Sequence, residues 1–186
     1  MKTSLLLFSL LIVVASAYNR DAAVKYAYQY VHSANHICST GAWGCSPYPY
    51  LGSERCGYPG EGGDCANFVS QCLIAGGHSS LNKGQCRGIC GSVEPGAKRL
   101  ADCLSDNFGW KATCGYRSPP PSYIQPGDVL VYFADSSCSS YDAHAVLVTQ
   151  VNGGSVKISC HSNEQKDVDY NYMSNSKSYF RWIHHP

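Results

Sequence analysis

The sequence has little charge: Asp, Glu, Lys and Arg together make up only 15% of its 186 residues. Disordered chains have the opposite composition, so the 44% apolar content indicates a folded protein. The 14 basic and 13 acidic residues nearly cancel, which leaves no basic excess to neutralise phosphates. A nucleic-acid partner is therefore disfavoured.

Long apolar runs are also scarce. The main one covers residues 5–14, which is too short to span a membrane. It follows Lys2 and precedes a small-residue cleavage site at 15–17, so residues 1–17 are predicted to be a secretory signal peptide. We therefore expect a secreted monomer of residues 18–186, a single domain without membrane contact after cleavage.

Zinc motifs are missing as well. The sequence has no Cys-x-x-Cys pair and no His-Glu-x-x-His motif, and Cys86-x-x-x-Cys90 stands alone, so we expect no metal and no other cofactor. Cysteine itself is abundant, with 11 residues, which is typical of a secreted, disulfide-rich protein. Because 11 is odd, one thiol is predicted to be left over, and the sequence does not choose the pairing.

Helical patterns occupy the first part of the mature chain. Asn19 is a good cap for a helix over 20–33, and further helices are predicted over 65–75 and 96–107. Loops rich in Gly and Cys separate them.

Strand patterns follow the proline run at 119–121. They cover 128–134, 145–151, 155–161 and 178–183, and Asn152-Gly153-Gly154 predicts a hairpin turn between the second and third. Helices followed by strands predict an α+β fold with an antiparallel sheet, divided into a helical half (18–117) and a β half (122–186).

Cys65 differs from the other cysteines in its surroundings. It lies where Gly62-Gly63-Asp64 leads into a predicted helix. A helix N-terminus lowers the pKa of a thiol, and the N–H of Cys65 itself is available to an oxyanion. These are the properties of a catalytic nucleophile, and the alternative is that Cys65 is one more half of a disulfide.

A thiol nucleophile requires a base, and His144 is the best placed of the seven histidines. It begins an apolar strand, although a histidine at that position is also compatible with a purely structural role. A third group should orient the base. Antiparallel pairing across the hairpin brings His161, or Asn163 just beyond it, close to His144.

The order of these motifs resembles the putative amidase domain family, which is related to the NlpC-type and CHAP cell-wall cysteine hydrolases. The resemblance rests on Tyr18-Asn19-Arg20-Asp21-Ala22-Ala23-Val24-Lys25-Tyr26-Ala27, on Gly62-Gly63-Asp64-Cys65-Ala66-Asn67-Phe68-Val69-Ser70-Gln71-Cys72-Leu73, on Gln125-Pro126-Gly127-Asp128-Val129-Leu130-Val131-Tyr132-Phe133 and on His144-Ala145-Val146-Leu147-Val148. It does not cover the cysteine-rich segments 36–58 and 79–117.

This resemblance implies a circularly permuted papain-like fold and a thioester mechanism on amide bonds, with bacterial peptidoglycan peptides as the expected substrate and an antibacterial or digestive use. It assigns the nucleophile to Cys65, the base to His144 and the third group to His161 or Asn163. Asp64 either caps the helix or binds a positive substrate group. Tyr58 either packs or lines the site and donates to the oxyanion.

Two other functions remain open. The same fold hosts proteases that act on protein substrates. A domain that kept the scaffold but lost catalysis would bind cell-wall glycan or peptide, and Cys65 would then be disulfide-bonded or dispensable.

Overall fold

A computed structural model describes residues 18–32, 65–78, 81, 96–161 and 164–186. The elements are α1 (Arg20–Tyr30), α2 (Cys65–Ala75), α3 (Ala97–Asp102), β1 (Lys111–Tyr116), β2 (Val129–Phe133), β3 (Ala143–Asn152), β4 (Ser155–Cys160), β5 (Gln165–Asp169) and β6 (Tyr179–His184). The predicted signal peptide, Tyr58, Asp64 and Asn163 lie outside the described residues.

Local signals account for the first two helices. The side chain of Asn19 accepts a hydrogen bond from the N–H of Ala22 at 2.9 Å and caps α1, as predicted. Residues 65–73 of α2 are all buried, on every side of the helix. A helix buried all round belongs to the interior, and α2 accordingly lies within the helical core that packs against the sheet.

The third helix is shorter than predicted. α3 ends at Asp102 and continues as a π-helical turn over Cys103–Asn107. The hydroxyl of Ser105 in this turn donates to the carbonyl of Ala101 at 3.0 Å. Such side-chain bonding to the backbone competes with regular helix geometry, which accounts for the change.

The strands form one antiparallel sheet in the order β1-β6-β2-β3-β4-β5. The predicted hairpin is confirmed: β3 pairs with β4, and Asn152 lies opposite Ser155. Gly153 and Gly154 have φ values of 55° and 92°, a left-handed region that glycine adopts without strain. The α+β class with an antiparallel sheet is therefore as predicted.

The sheet separates two apolar cores. Ala145 and Leu147 of β3 face a core shared with the three helices. Val146 and Val148, which alternate with them, face a second core lined by aromatic residues such as Tyr132 and Trp182. This alternation is the period-two pattern of a strand buried on both faces. None of the helices in the described ranges is long and apolar enough to cross a bilayer.

Two strands were not predicted, and both lie at the edges of the sheet. β1 falls before the proline run at 119–121, in the part of the chain predicted to be helical. A disulfide between Cys114 and Cys138 holds β1 to the segment that follows β2. β5 is polar, and its residues are partly or fully exposed. Edge strands need one partner and no buried face, so they lack the apolar pattern that marks the central strands.

Candidate active site

Cys65 is the first residue of α2 and is only 5% exposed. Its sulfur therefore lies at the positive end of the helix dipole, beside backbone N–H groups that have no partner within the helix. The side chain is a thiol, as are those of Cys72 and Cys160. The sequence predicted a single left-over thiol, whereas three of the cysteines in the described ranges carry one.

His144 is the second residue of β3 and lies opposite Tyr132 of β2 in the sheet. The two rings are stacked, with centroids 6.3 Å apart and planes 20° from parallel. The residue is 7% exposed. Burial and, to a smaller extent, the positive charge of Lys177 lower the pKa of His144 to about 4. The imidazole is therefore neutral at neutral pH.

A tyrosine hydroxyl holds the ring of His144. Tyr172 lies in the turn after β5, and its Oη is 3.0 Å from Nε2 of His144. The same hydroxyl is 3.2 Å from Sγ of Cys160, the last residue of β4. Burial raises the pKa of Cys160 to about 12, so this thiol keeps its proton under physiological conditions.

Electrostatic coupling joins Cys65 to this group. A negative charge on Cys65 contributes to the raised pKa values of both Cys160 and Tyr172, behind burial as the main cause. Cys65 is therefore close enough to Tyr172 for their charges to interact, and the hydroxyl of Tyr172 contacts His144 directly. We refer to Cys65, His144, Cys160 and Tyr172 as the Cys65 cluster.

His161 has a different environment. It is 6% exposed, its ring stacks on Phe68 of α2 at 4.1 Å, and its Nε2 lies 2.9 Å from the carbonyl oxygen of Tyr30. These contacts are with the helical layer, whereas the ring contacts of His144 are with Tyr132 and Tyr172. Strand alternation accounts for the difference, because Cys160 rather than His161 shares a core with Tyr132. The role of His161 as the third group stays a prediction.

Sequence reasoning missed two members of the Cys65 cluster. Cys160 carried a usable signal, since it precedes His161 on the strand that pairs with the His144 strand. Tyr172 carried none, because only the packing of the turn after β5 brings it to His144. Asp64, Tyr58 and Asn163 fall outside the described residues, so their predicted roles stay predictions.

The Cys65 cluster can support acid–base and nucleophilic chemistry. It combines a thiol at a helix N-terminus with a neutral imidazole, and a phenol holds one nitrogen of that imidazole. In the part of the chain that the structure describes, no group of three His, Cys, Asp or Glu residues is arranged to hold a metal ion.

The fold and the cluster define an α+β domain with a buried thiol, imidazole and phenol. The model of the family described as putative amidase domain matches residues 17–183, and the chain belongs to that family. Its description indicates hydrolysis of amide bonds. No curated protein and no solved structure gives a significant match to the chain.

Proposed function

We propose that this protein is a secreted cysteine amidase or endopeptidase that hydrolyses amide bonds in bacterial peptidoglycan peptides. Cys65 is the nucleophile and His144 the general base. The observation that carries the proposal is the buried thiol of Cys65 at the N-terminus of α2, together with the buried imidazole of His144 near the start of β3. Membership of the putative amidase domain family supports an amide as the bond that is hydrolysed.

The lowered pKa of His144 favours one form of the first step. Because the imidazole of His144 is neutral at rest, the two residues do not rest as an ion pair. As the sulfur of Cys65 attacks the carbonyl carbon, its proton passes to His144. The helix dipole and the backbone N–H of Cys65 stabilise the negative charge that develops on the sulfur and on the carbonyl oxygen.

The remaining steps regenerate the enzyme. The tetrahedral intermediate collapses, the C–N bond breaks, and the imidazolium of His144 gives its proton to the leaving amine. A thioester on Cys65 remains. Water attacks it while His144 accepts a proton from that water, and the products are a carboxylic acid and the original thiol. No group from outside the chain is consumed other than water.

The substrate class rests on the resemblance to NlpC-type and CHAP hydrolases, and the circularly permuted papain-like topology is part of the same proposal. The predicted signal peptide at 1–17 would bring the protein to the compartment where bacterial walls are met. Asp64 and Tyr58, which precede α2 in the sequence, stay candidate substrate-binding residues.

Digestion of two substrates tests the proposal. The mature protein and Cys65→Ala are incubated with peptidoglycan and with casein, and the products are identified by mass spectrometry. Cys72→Ala is a matched control, because Cys72 is a buried thiol of the same helix that belongs to the helical core.

We expect stem-peptide fragments from the wild type and from Cys72→Ala, and a loss of about 1000-fold or more in Cys65→Ala. If only casein is cleaved, the substrate is a protein rather than bacterial peptidoglycan. If neither substrate is cut while wild type and Cys65→Ala bind peptidoglycan equally, the domain is a binding module and the enzyme proposal fails.

A further inference from the structure

Tyr172 is held rigidly in the turn after β5. Its N–H donates to the carbonyl of Asp169 at 3.1 Å, and the N–H of Tyr170 donates to the carbonyl of Val156 at 3.1 Å. The hydroxyl of Tyr132 anchors the turn a third time, at 2.6 Å from the carbonyl oxygen of Tyr170. The ring of Tyr172 packs edge-on against Tyr132, with centroids 5.8 Å apart. Its hydroxyl therefore has a fixed position.

The hydroxyl has one proton and two neighbours. Its oxygen lies 3.0 Å from Nε2 of His144 and 3.2 Å from Sγ of Cys160. A base that takes the proton of Cys65 needs a lone pair that is not already engaged. Because Nε2 is the ring nitrogen within hydrogen-bond distance of Tyr172, the free lone pair belongs to Nδ1 and the ring proton to Nε2. In this arrangement a lone pair of Oη accepts from Nε2–H, and the proton of Oη is left for Sγ of Cys160.

We propose that Tyr172 is the positioning residue of the active site: it accepts a hydrogen bond from Nε2–H of His144 and leaves the lone pair of the base on Nδ1. This rests on the proposed function, in which His144 takes the proton of Cys65. The orienting group of the catalytic arrangement is then a phenol from the turn after β5.

The chemistry of a phenol fits the electrostatics of the site. Burial raises the pKa of Tyr172, so the hydroxyl stays neutral and adds no negative charge beside His144. A carboxylate in the same place would stabilise the imidazolium and raise the pKa of the base. A neutral acceptor fixes the ring without doing so, in keeping with the lowered pKa of His144.

His161 is the competing candidate for the same role. Its described partners are Phe68 and the carbonyl of Tyr30, both in the helical layer. Tyr172, in contrast, has its oxygen at hydrogen-bond distance from the imidazole nitrogen itself. The two roles lead to different expected results, and each side chain can be removed by substitution.

The experiment reads the tautomer of His144 directly. Long-range proton–nitrogen correlation spectra of the histidine rings are recorded on the full mature chain at neutral pH, with His144→Gln to assign the signals. The variants are Tyr172→Phe, His161→Gln and Tyr170→Phe. Tyr170 is a matched control, because it lies in the same turn and its described ring contacts are with Phe180 and Trp182 rather than with His144.

We expect the proton on Nε2 in the wild type, His161→Gln and Tyr170→Phe, and a mixture of tautomers in Tyr172→Phe. The value of kcat/KM on the amide substrate should fall roughly 10- to 100-fold in Tyr172→Phe, less than the loss of the base itself would cost. An unchanged tautomer in Tyr172→Phe, or a change confined to His161→Gln, overturns the proposal. The spectra require no substrate. A protein without amidase activity would therefore refute the proposed function, while the tautomer seen in the spectra would still decide the role of Tyr172.

Discussion

His144 combines a base's chemistry with a buried position, since it is 7% exposed and its pKa is lowered to about 4 by burial and by Lys177. A cysteine–histidine pair that rests as an ion pair would need the opposite shift. At the residue scale, the proposed mechanism therefore starts from a neutral imidazole, and the rate of attack would depend on proton transfer from Cys65 to His144.

The pH dependence of activity should report this base. We expect kcat/KM to rise with pH along an acid limb near the pKa of His144, at about 4, since only the neutral ring accepts a proton. Lys177→Met removes a positive charge that lowers this pKa, so the limb should move to higher pH. Lys157→Met, which removes a lysine paired with Asp169, is the control and should leave the limb in place. A limb near pH 6.5 or above in the wild type would contradict the neutral resting state.

Stability should depend on pH for the same reason. The pKa of His144 falls from 6.5 in the unfolded chain to about 4 in the folded protein, so the unfolded chain binds the proton first as the pH falls. The resulting loss of folding free energy is absent above about pH 6.5 and reaches its full size below about pH 4. Between pH 7 and pH 4 the wild type should lose about 3 kcal/mol more than His144→Gln.

Urea unfolding at the two pH values measures this difference. His32→Gln, which removes an exposed histidine, is the control and should follow the wild type. Parallel losses in the wild type and in His144→Gln would show that the buried imidazole is not the source of the pH dependence.

The reactive residues were predictable to different degrees. Cys65 and His144 stood out because each lies at the start of a regular element, where local sequence determines position. The structure buries both side chains, at 5% and 7% exposure. Tyr172 and Cys160 were missed because their place in the site depends on which strands pair and how a turn packs, and neither follows from spacing along the chain.

At the scale of elements, the Pro126-Gly127-Asp128 turn does more than begin β2. Asp128 is fully buried, and its carboxylate binds Arg20 of α1 at 2.5 Å and Nδ1 of His184 at 2.8 Å. Gly127 has a φ of 87°, and a Cβ there would lie 3.0 Å from the side chain of Arg20. The turn therefore joins the start of α1, the start of β2 and the end of β6.

Loss of the Asp128 carboxylate should loosen that junction. Asp128→Ala leaves the guanidinium of Arg20 partly buried without its counter-ion, and the free energy of unfolding should fall by about 3–5 kcal/mol. Asp21→Ala removes an exposed acid of the same helix and should cost less than about 1 kcal/mol. Chemical denaturation compares the two. Equal, small losses would mean that the buried ion pair contributes little to holding α1 on the sheet.

The predictability of the elements follows their burial. β2 and β3 were predicted because all or most of their residues are buried, which requires continuous apolar runs. β1 and β5 were missed because they are edge strands with exposed residues. The π-helical turn after α3 was missed because the apolar pattern of residues 96–107 fits a regular α-helix equally well and does not distinguish the two.

At the scale of the molecule, the cysteines in the described ranges include both disulfide-bonded residues and thiols. Cys114 and Cys138 are disulfide-bonded and tie edge strand β1 to the segment after β2. The thiols of Cys65, Cys72 and Cys160 are buried, at 5%, 0% and 0% exposure. Buried cysteine behaves as a small apolar residue, so thiols in the core are compatible with an oxidising compartment.

These environments predict an order of thiol reactivity. Cys65 lies at a helix N-terminus, which favours the thiolate, whereas burial raises the pKa of Cys160 to about 12 and leaves roughly one thiolate in 10,000 at pH 8. Iodoacetamide on the native protein should therefore modify Cys65 well before Cys160 and Cys72. Denaturation without reductant should expose all three, and Cys114 and Cys138 should react only after reduction.

Peptide mapping by mass spectrometry measures each site, with Cys65→Ser as the control that loses the fast reaction. Labelling of Cys160 as fast as Cys65 would contradict the difference in environment, and a disulfide at Cys65 in the denatured protein would remove the proposed nucleophile.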